Sequence, residues 1–423
     1  MRMDKFIETF KRIFATKDIK KKMLFSFIIL LAYRFLAATP VTGITSEAIS
    51  KLFEGSSFGN LLSTVSGGVL ETASIAAIGL SPYINASIIL QLLGTVIPKL
   101  EELQKEGAEG RRVISMYTRL LTVPLAIMQS FVIYSTLRGF GLITQLDTLH
   151  LVTMIASLTA GSIIVMWFAE LVSESGIGGG SSFLIFLGII AGIPGTLQNN
   201  FMLMDTFQRV VLIVITLLLI MSVIYVSEAE RRIRVQYSRR VRMGGAMDSY
   251  IPIKLTQFGV MPVIFAVSLL SFPQLIGKFI LTRDVSDTVI KITNDVMSFL
   301  NNPLYSNILT FVLIIAFAMF YLTVVFKTDE LAENLQKQGG FIPGIRPGKR
   351  TSEYLRGISL RLAVIGAVFL ALISILPNIM IQLGLMTTTI VSGTGLLIMV
   401  SVALDIRREI SSMIVVRDYS RYL

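Results

Sequence analysis

Two groups of residues in this chain have types and spacing suited to chemistry, and neither makes or breaks a covalent bond. The first is a cluster of arginines, Arg231, Arg232, Arg234, Arg239, Arg240 and Arg242, six within twelve residues and beside Tyr237. A guanidinium fork fits phosphate bidentately, so such a cluster suits an RNA backbone or an anionic lipid headgroup. Orienting charge on a membrane protein is the plainer reading of the same residues. Another arginine, Arg346, stands in the turn Pro343-Gly-Ile-Arg-Pro-Gly348. The flanking prolines restrict the backbone and hold that side chain outward, a form suited to docking. The second group is neutral and polar: Ser81, Pro82, Asn85, Ser87 and Gln91 dot the apolar run 75–97. Hydrocarbon cannot solvate such groups, so a helix that carries them faces partners or a watery cavity.

Other chemistries lack their residues. There is no cysteine, and His150 is the single histidine, which removes thiolate metal sites, disulfides and most His-based catalysis. No Ser/His, paired-Asp or HExxH constellation is present, so no catalytic residue, metal or cofactor is expected. The segment around Gly348-Lys349 fails the phosphate-loop pattern, with Pro343 in place of the first glycine and Arg350 in place of Ser or Thr. GIGGGSS from Gly176 misses the dinucleotide-binding spacing and follows no strand. Asn85-Ala-Ser87 sits inside an apolar run, which rules out glycosylation, and Arg34 snorkels or pairs within the first span.

The elements that hold these residues must be membrane helices. Of 423 residues, 53% are hydrophobic and only 15% charged, against about a quarter in soluble domains; the mean hydropathy is +0.73. Ten apolar runs can cross a bilayer: 23–41, 75–97, 113–135, 151–172, 182–197, 208–228, 255–276, 304–326, 357–377 and 388–405. Pro262 and Pro273 predict a kinked seventh span. The first run follows Lys20, Lys21 and Lys22 but lacks a cleavage pattern, and is expected to be retained. Net charge is +11, and Lys and Arg gather in 1–22, 98–119, 229–254, 327–356 and 406–423, leaving 42–74, 136–150, 198–207 and 378–387 almost bare. The positive-inside rule then places both termini in the cytoplasm. Only 277–303, with Lys278, Arg283 and Lys291, weakens that alternation. Ten spans divide into five plus five, the count expected of an inverted repeat, although no residue-level self-similarity is apparent. The segment 58–73 is too short and polar to span; composition alone favours an external loop over a re-entrant segment or a movable stopper.

Several stretches carry a resemblance: GGVLETASIAAIGLSPYINASIILQLL, KEGAEGRRVISMYTR, GIGGGSS, the Arg-rich connection, GFIPGIRPG and SGTGLLIMVSVALD. In this order the chain resembles the SecY/Sec61-alpha family, central subunits of the protein-conducting channel, over nearly its whole length. The resemblance implies an all-α membrane protein, a single channel domain over 1–423. Its ten helices would form two inverted pseudo-symmetric halves, about 1–200 and 201–423. It makes 59–72, with Leu61, Leu62, Ser66, Gly67 and Gly68, a plug helix. It makes Ile84, Ile88, Ile185, Ile189, Ile264 and Ile398 an apolar pore ring, since such a ring dewets and blocks ions. Ser87, Gln129 and Thr256 would form a polar cluster at a lateral gate; the family often carries Asn in place of Thr256, GIGNG in place of GIGGG, and proline in place of Thr42. Arg231, Arg232, Arg239, Arg240 and Arg346, on cytoplasmic loops 229–254 and 327–356, would dock the ribosome or the motor ATPase SecA. Further partners implied are the small subunits SecE and SecG, signal sequences, nascent polypeptides and membrane lipid, at a bacterial cytoplasmic membrane. A 5+5 secondary transporter is the alternative reading, but no clear ion or proton site supports it.

Overall fold

The computed structural model describes residues 17–41, 74–139, 148–203, 205–237, 249–281, 286–325, 328–384 and 391–420. Helices dominate: α1 (Lys17–Ala38), α2 (Ser81–Val96), α3 (Pro98–Lys105), α4 (Ala108–Gly139), α5 (Thr148–Ser175), α6 (Gly180–Leu203), α7 (Thr206–Glu228), α8 (Met261–Leu281), α9 (Asp287–Asn301), α10 (Pro303–Val325), α11 (Thr328–Lys337), α12 (Lys349–Gln382) and α13 (Gly393–Ser420). Three strands complete the described chain: β1 (Glu230–Tyr237), β2 (Ser249–Lys254) and β3 (Gly340–Phe341).

Among the described residues five helices, α4, α5, α7, α10 and α12, are long and apolar enough to cross a membrane, and the bent pair α2–α3 is a sixth if it is taken as one span. Helices α6 and α8 carry shorter apolar stretches. Helix α1 keeps Lys21, Lys22 and Arg34 within its apolar length, and α13 runs on into Asp405, Arg407, Arg408 and Glu409. Both therefore mix membrane and water lengths in one helix. The break between α2 and α3 is a bend of 107° at Ile97. Pro98 disfavours helical backbone in the residue before it, and Ile97 is extended, at φ −95° and ψ 111°.

The chain forms two compact units: 1–204 with 267–306 and 390–423, and 205–266 with 307–389. The first unit thus joins 1–204 to two later pieces of the chain, 267–306 and 390–423. Within it α2 packs on α4, α4 on α5, α5 on α1 and α6, and α6 on α13. The α5–α6 turn is tied from two sides: Ile177 donates its N–H to Ser26 Oγ at 3.1 Å, and Gly178 donates to Glu409 Oε2 at 2.5 Å. Arg119 Nε meets Glu170 Oε1 at 2.7 Å between α4 and α5.

In the second unit the two basic connections fold. The strands form an antiparallel sheet of order β2-β1-β3, with Arg234 opposite Tyr250 and Gln236 opposite Phe341. Along β1, Ile233 and Val235 are buried while Arg232, Arg234 and Gln236 are exposed, the period of two that a one-faced sheet requires. Ile233, Val235, Ile253, Leu335, Ile342, Leu355 and Ile358 close a small apolar core beneath it, so α11 and the start of α12 cover one face. Within the loops expected at 229–254 and 327–356, the described residues form a packed sheet-and-helix element.

A local motif occurs twice, once in each unit. Ile75 donates its N–H to Thr39 O just past α1, at 3.0 Å, and Leu255 donates to Ala229 O just past α7, also at 3.0 Å. Each opens a six-residue turn, 75–80 or 255–260. Gly79 and Gly259 both take φ 59°, a left-handed backbone open to glycine at little cost. A proline follows in the first helical turn, Pro82 in α2 and Pro262 in α8, and then Ile84 or Ile264. Gly161 of α5 abuts the Ile75 carbonyl, as Gly366 of α12 abuts the Leu255 carbonyl. The backbone path is repeated although no residue-level self-similarity is apparent. The kink expected at Pro262 is corrected: in the first turn a proline lacks only an N–H that has no helical partner, and Pro273 alone lies inside α8.

Candidate functional site

The six isoleucines singled out above are all buried. Ile84 and Ile88 are one turn apart on the buried face of α2, which also carries Ser81, Asn85 and Ala86. Ile185 and Ile189 repeat that spacing on α6. A Cβ at Gly395 would lie 3.8 Å from Ile189 Cδ1, so α6 and α13 meet about one turn before Ile398. Five of the six therefore belong to the first unit. Ile264 belongs to the second, beside Phe265, whose ring meets Phe317 and Tyr321 edge-on at 5.9 and 6.5 Å.

The polar residues have few partners. Ser87 Oγ accepts from Gln91 Nε2 at 3.2 Å, and Gln129 Nε2 donates to Ser81 Oγ at a long 3.4 Å. Asn85 Oδ1 and Gln129 Oε1 are buried with no hydrogen-bond partner. Thr256 lies in the turn before α8, where its Cγ2 is 3.4 Å from the Cβ position of Gly366. Next to it Gln257 has both polar side-chain atoms buried and unpartnered. Sequence reading passed over Gln257; its signal is an amide in an apolar run with no local acceptor.

The basic surface is built on the sheet. Arg232 and Arg234 project from the solvent face of β1 by strand alternation, and Arg231, at the strand's start, is also exposed. Arg232 is held by Glu230 Oε1 at 2.8 Å and lies 4.8 Å from the centroid of the Tyr250 ring. The Glu230 hydrogen bond, then the neighbouring tyrosine and carboxylate charges, push its pKa further up from an already high value. Ile342 is buried in the sheet core and Ile345 packs against it. Between them the turn is pinned, and Thr351 Oγ1 donates to the Arg346 carbonyl at 3.0 Å. The Arg346 side chain is left exposed. Arg239 and Arg240 lie outside the described residues, as do Leu61, Leu62, Ser66, Gly67 and Gly68. The two described ends flanking that last stretch are joined by a bridge between Pro40 and Ser74.

Membrane-length helices, buried isoleucine pairs, under-bonded polar groups and a folded basic element define a helical membrane protein. The sequence model of the SecY family matches residues 74–407. The protein translocase subunit SecY of Corynebacterium glutamicum is 39% identical, with all of both chains covered. That of Mycobacterium bovis is 38% identical over 96% of this chain and 98% of its own. The chain belongs to the SecY family of protein translocase subunits. Its fold is similar to a solved structure described as "The structure of a protein conducting channel", with a TM-score of 0.70, 19% identity, and coverage of 93% of this chain and 92% of that one. It is also similar to Sec61 in the canine ribosome-channel complex from the endoplasmic reticulum, at TM-score 0.66 and 19% identity over 93% and 92% of the two chains. Membership of the SecY family favours a channel over a secondary transporter.

Proposed function

We propose that this chain is the conduit through which unfolded secretory polypeptides cross the bacterial cytoplasmic membrane and from which apolar segments leave sideways into lipid. The pairs Ile84/Ile88 and Ile185/Ile189, buried one turn apart on α2 and α6, carry the reading, with Ile398 and Ile264 completing the ring. Alkyl side chains seal against ions by dewetting and yield around a moving chain. The residues 59–72 are the plug, and Ser87, Gln129 and Thr256 form the gate cluster. Interhelical hydrogen bonds in membranes are worth only about 1 kcal/mol, which suits contacts that must part.

The duplicated turn, followed each time by proline and a ring isoleucine, supports a chain of two related halves; ten spans, inversion of the halves and cytoplasmic termini complete the reading. The exposed Arg231, Arg232 and Arg346, with Arg239 and Arg240, form the docking face for the ribosome and SecA, and SecE and SecG are the small membrane partners. Energy comes from ribosomal synthesis, from SecA or from the proton gradient. Sorting between pore and lipid follows transfer energies, with charged residues costing about 2.5–3.5 kcal/mol at mid-membrane.

Ile88→Asn and Ile398→Asn test the ring. Each is expected to raise ion leak in proteoliposomes and to admit weaker signal sequences. Unchanged leak and unchanged selectivity in both variants would remove the ring from the mechanism.

A further inference from the structure

Helix α9 has three distinct faces. Thr293 and Leu300 are buried, and Met297 and Thr293 lie against Gly277 of α8, where a Cβ would meet Met297 Sδ at 2.9 Å and Thr293 Cγ2 at 3.3 Å. Asp287, Lys291, Asn294 and Ser298 form an exposed polar face. The third face is apolar yet uncovered: Ile292, Val296 and Phe299, spaced i, i+4 and i+7, are 59%, 45% and 49% exposed. Burial against α8 therefore leaves a second apolar stripe open, which a helix resting on its protein in water has no reason to keep.

The stripe continues into the surface of a membrane span. Only Asn302 separates α9 from α10, a helix long and apolar enough to cross the bilayer. The first turn of α10 exposes Leu304 and Tyr305, and the Phe299 ring stacks on Tyr305 with centroids 4.7 Å apart and planes at 16°. Aromatic side chains favour the headgroup level, where one edge is apolar and the other wet. A helix with one apolar face, one polar face and modest length fits the plane of the interface, its apolar side sunk about 5–10 Å into the acyl boundary.

We propose that α9 is an interfacial anchor: its stripe Ile292–Val296–Phe299 binds the lipid–water boundary and fixes the end of α8 to the bilayer surface. The occupant is lipid because the patch is continuous with the exposed apolar first turn of a helix long and apolar enough to cross the bilayer. The inference rests on membrane embedding alone and does not depend on the conduit reading.

The chain contains no cysteine, so single nitroxide labels can be placed without background. The full chain, reconstituted in phosphatidylcholine–phosphatidylglycerol vesicles, carries Ile292→Cys, Val296→Cys or Phe299→Cys, with Lys291→Cys, Asn294→Cys and Ser298→Cys as the polar-face set. Power saturation reads collision with oxygen, which enriches in lipid, and with a water-soluble nickel chelate. The stripe labels are expected to favour oxygen several-fold over the chelate, and the polar-face labels the reverse. Chelate access at the stripe equal to that at Asn294→Cys and Ser298→Cys would put the stripe in water and overturn the proposal. Exclusion of both reagents from the stripe would also overturn it, because a protein surface, another subunit or a second copy, would then cover the face.

Discussion

Replacing Gly366 by alanine places a methyl group where α12 passes the turn before α8. The new Cβ would sit 2.5 Å from the Leu255 carbonyl oxygen and 3.1 Å from its carbon, where ordinary contact begins at 3.4 Å. The backbones must separate by about 0.9 Å at that point, the difference between 3.4 and 2.5 Å. Overpacking of this kind costs about 1–3 kcal/mol, against a gain of up to about 1 kcal/mol for alanine over glycine inside a helix. The internal control is Gly357, in the same helix but exposed, with nothing within 4 Å of its Cβ position. Gly357→Ala collects the helix gain without the clash. The two substitutions are chemically identical and are expected to move stability in opposite directions, Gly366→Ala lowering it and Gly357→Ala raising it. Thermal unfolding of the full chain in one detergent at one scan rate, followed by circular dichroism, reads the difference. A Gly366→Ala variant as stable as Gly357→Ala would refute the close approach, and with it the correspondence between Gly366 and Gly161.

Leu355→Ala removes about three methylene equivalents from the small core beneath the sheet, where Leu355 is fully buried, at a cost of about 2–5 kcal/mol. Amide exchange is expected to accelerate by about thirtyfold or more in β1, β2 and β3 while peptides of α4 and α5 keep their protection; a uniform change across both would deny the sheet its own core. Arg346→Glu is expected to weaken docking of the motor ATPase and ribosome with unchanged unfolding, because the side chain is exposed while Ile342 and Ile345 hold the turn; normal export would dismiss the docking role. Gln257→Leu relieves two buried, unpartnered polar atoms and is expected to stabilise the chain by about 1–3 kcal/mol while making export more dependent on a strong signal sequence; a loss of stability would show that the amide is satisfied in the membrane.

Five of the expected spans, those of α4, α5, α7, α10 and α12, were legible because apolar length is written locally. The sheet was not, although its signal was present. Ile233, Val235 and Tyr237 alternate with Arg232, Arg234 and Gln236, but six arginines nearby drew the reading towards charge rather than period. Pairing β1 with β3 also joins residues about a hundred positions apart, which no local pattern announces. The duplicated turn escaped for a different reason. Over 75–84 and 255–264 the identical pairs are Gly79/Gly259, Pro82/Pro262 and Ile84/Ile264, too sparse to stand out. What is duplicated is a backbone path fixed by one φ, one proline and one carbonyl contact, and side chains elsewhere were free to diverge.

That divergence bears on how a gate could work. Where the first copy of the turn has Ala76 and Ala77, both buried, the second has Thr256 and Gln257. The same path is thus lined by methyl groups in one unit and by polar groups in the other. A buried, unmet hydrogen-bonding group costs about 1–3 kcal/mol, and water supplies the missing partner at once. Gln257 carries that cost in the described arrangement, as do Asn85 and Gln129 on α2 and α4. Their effect is one-sided: each makes the arrangement that keeps it dry less stable and leaves a hydrated arrangement untouched. Well-bonded polar residues at the same positions would hold the helices together, and apolar ones would leave the dry state unopposed. A channel that must stay sealed yet open to a weak apolar ligand needs a closed state only slightly favoured. If the isoleucines form the proposed ring, the water they exclude and the amides that lack it would act in opposite directions, and the binding energy of a signal sequence would decide between the states.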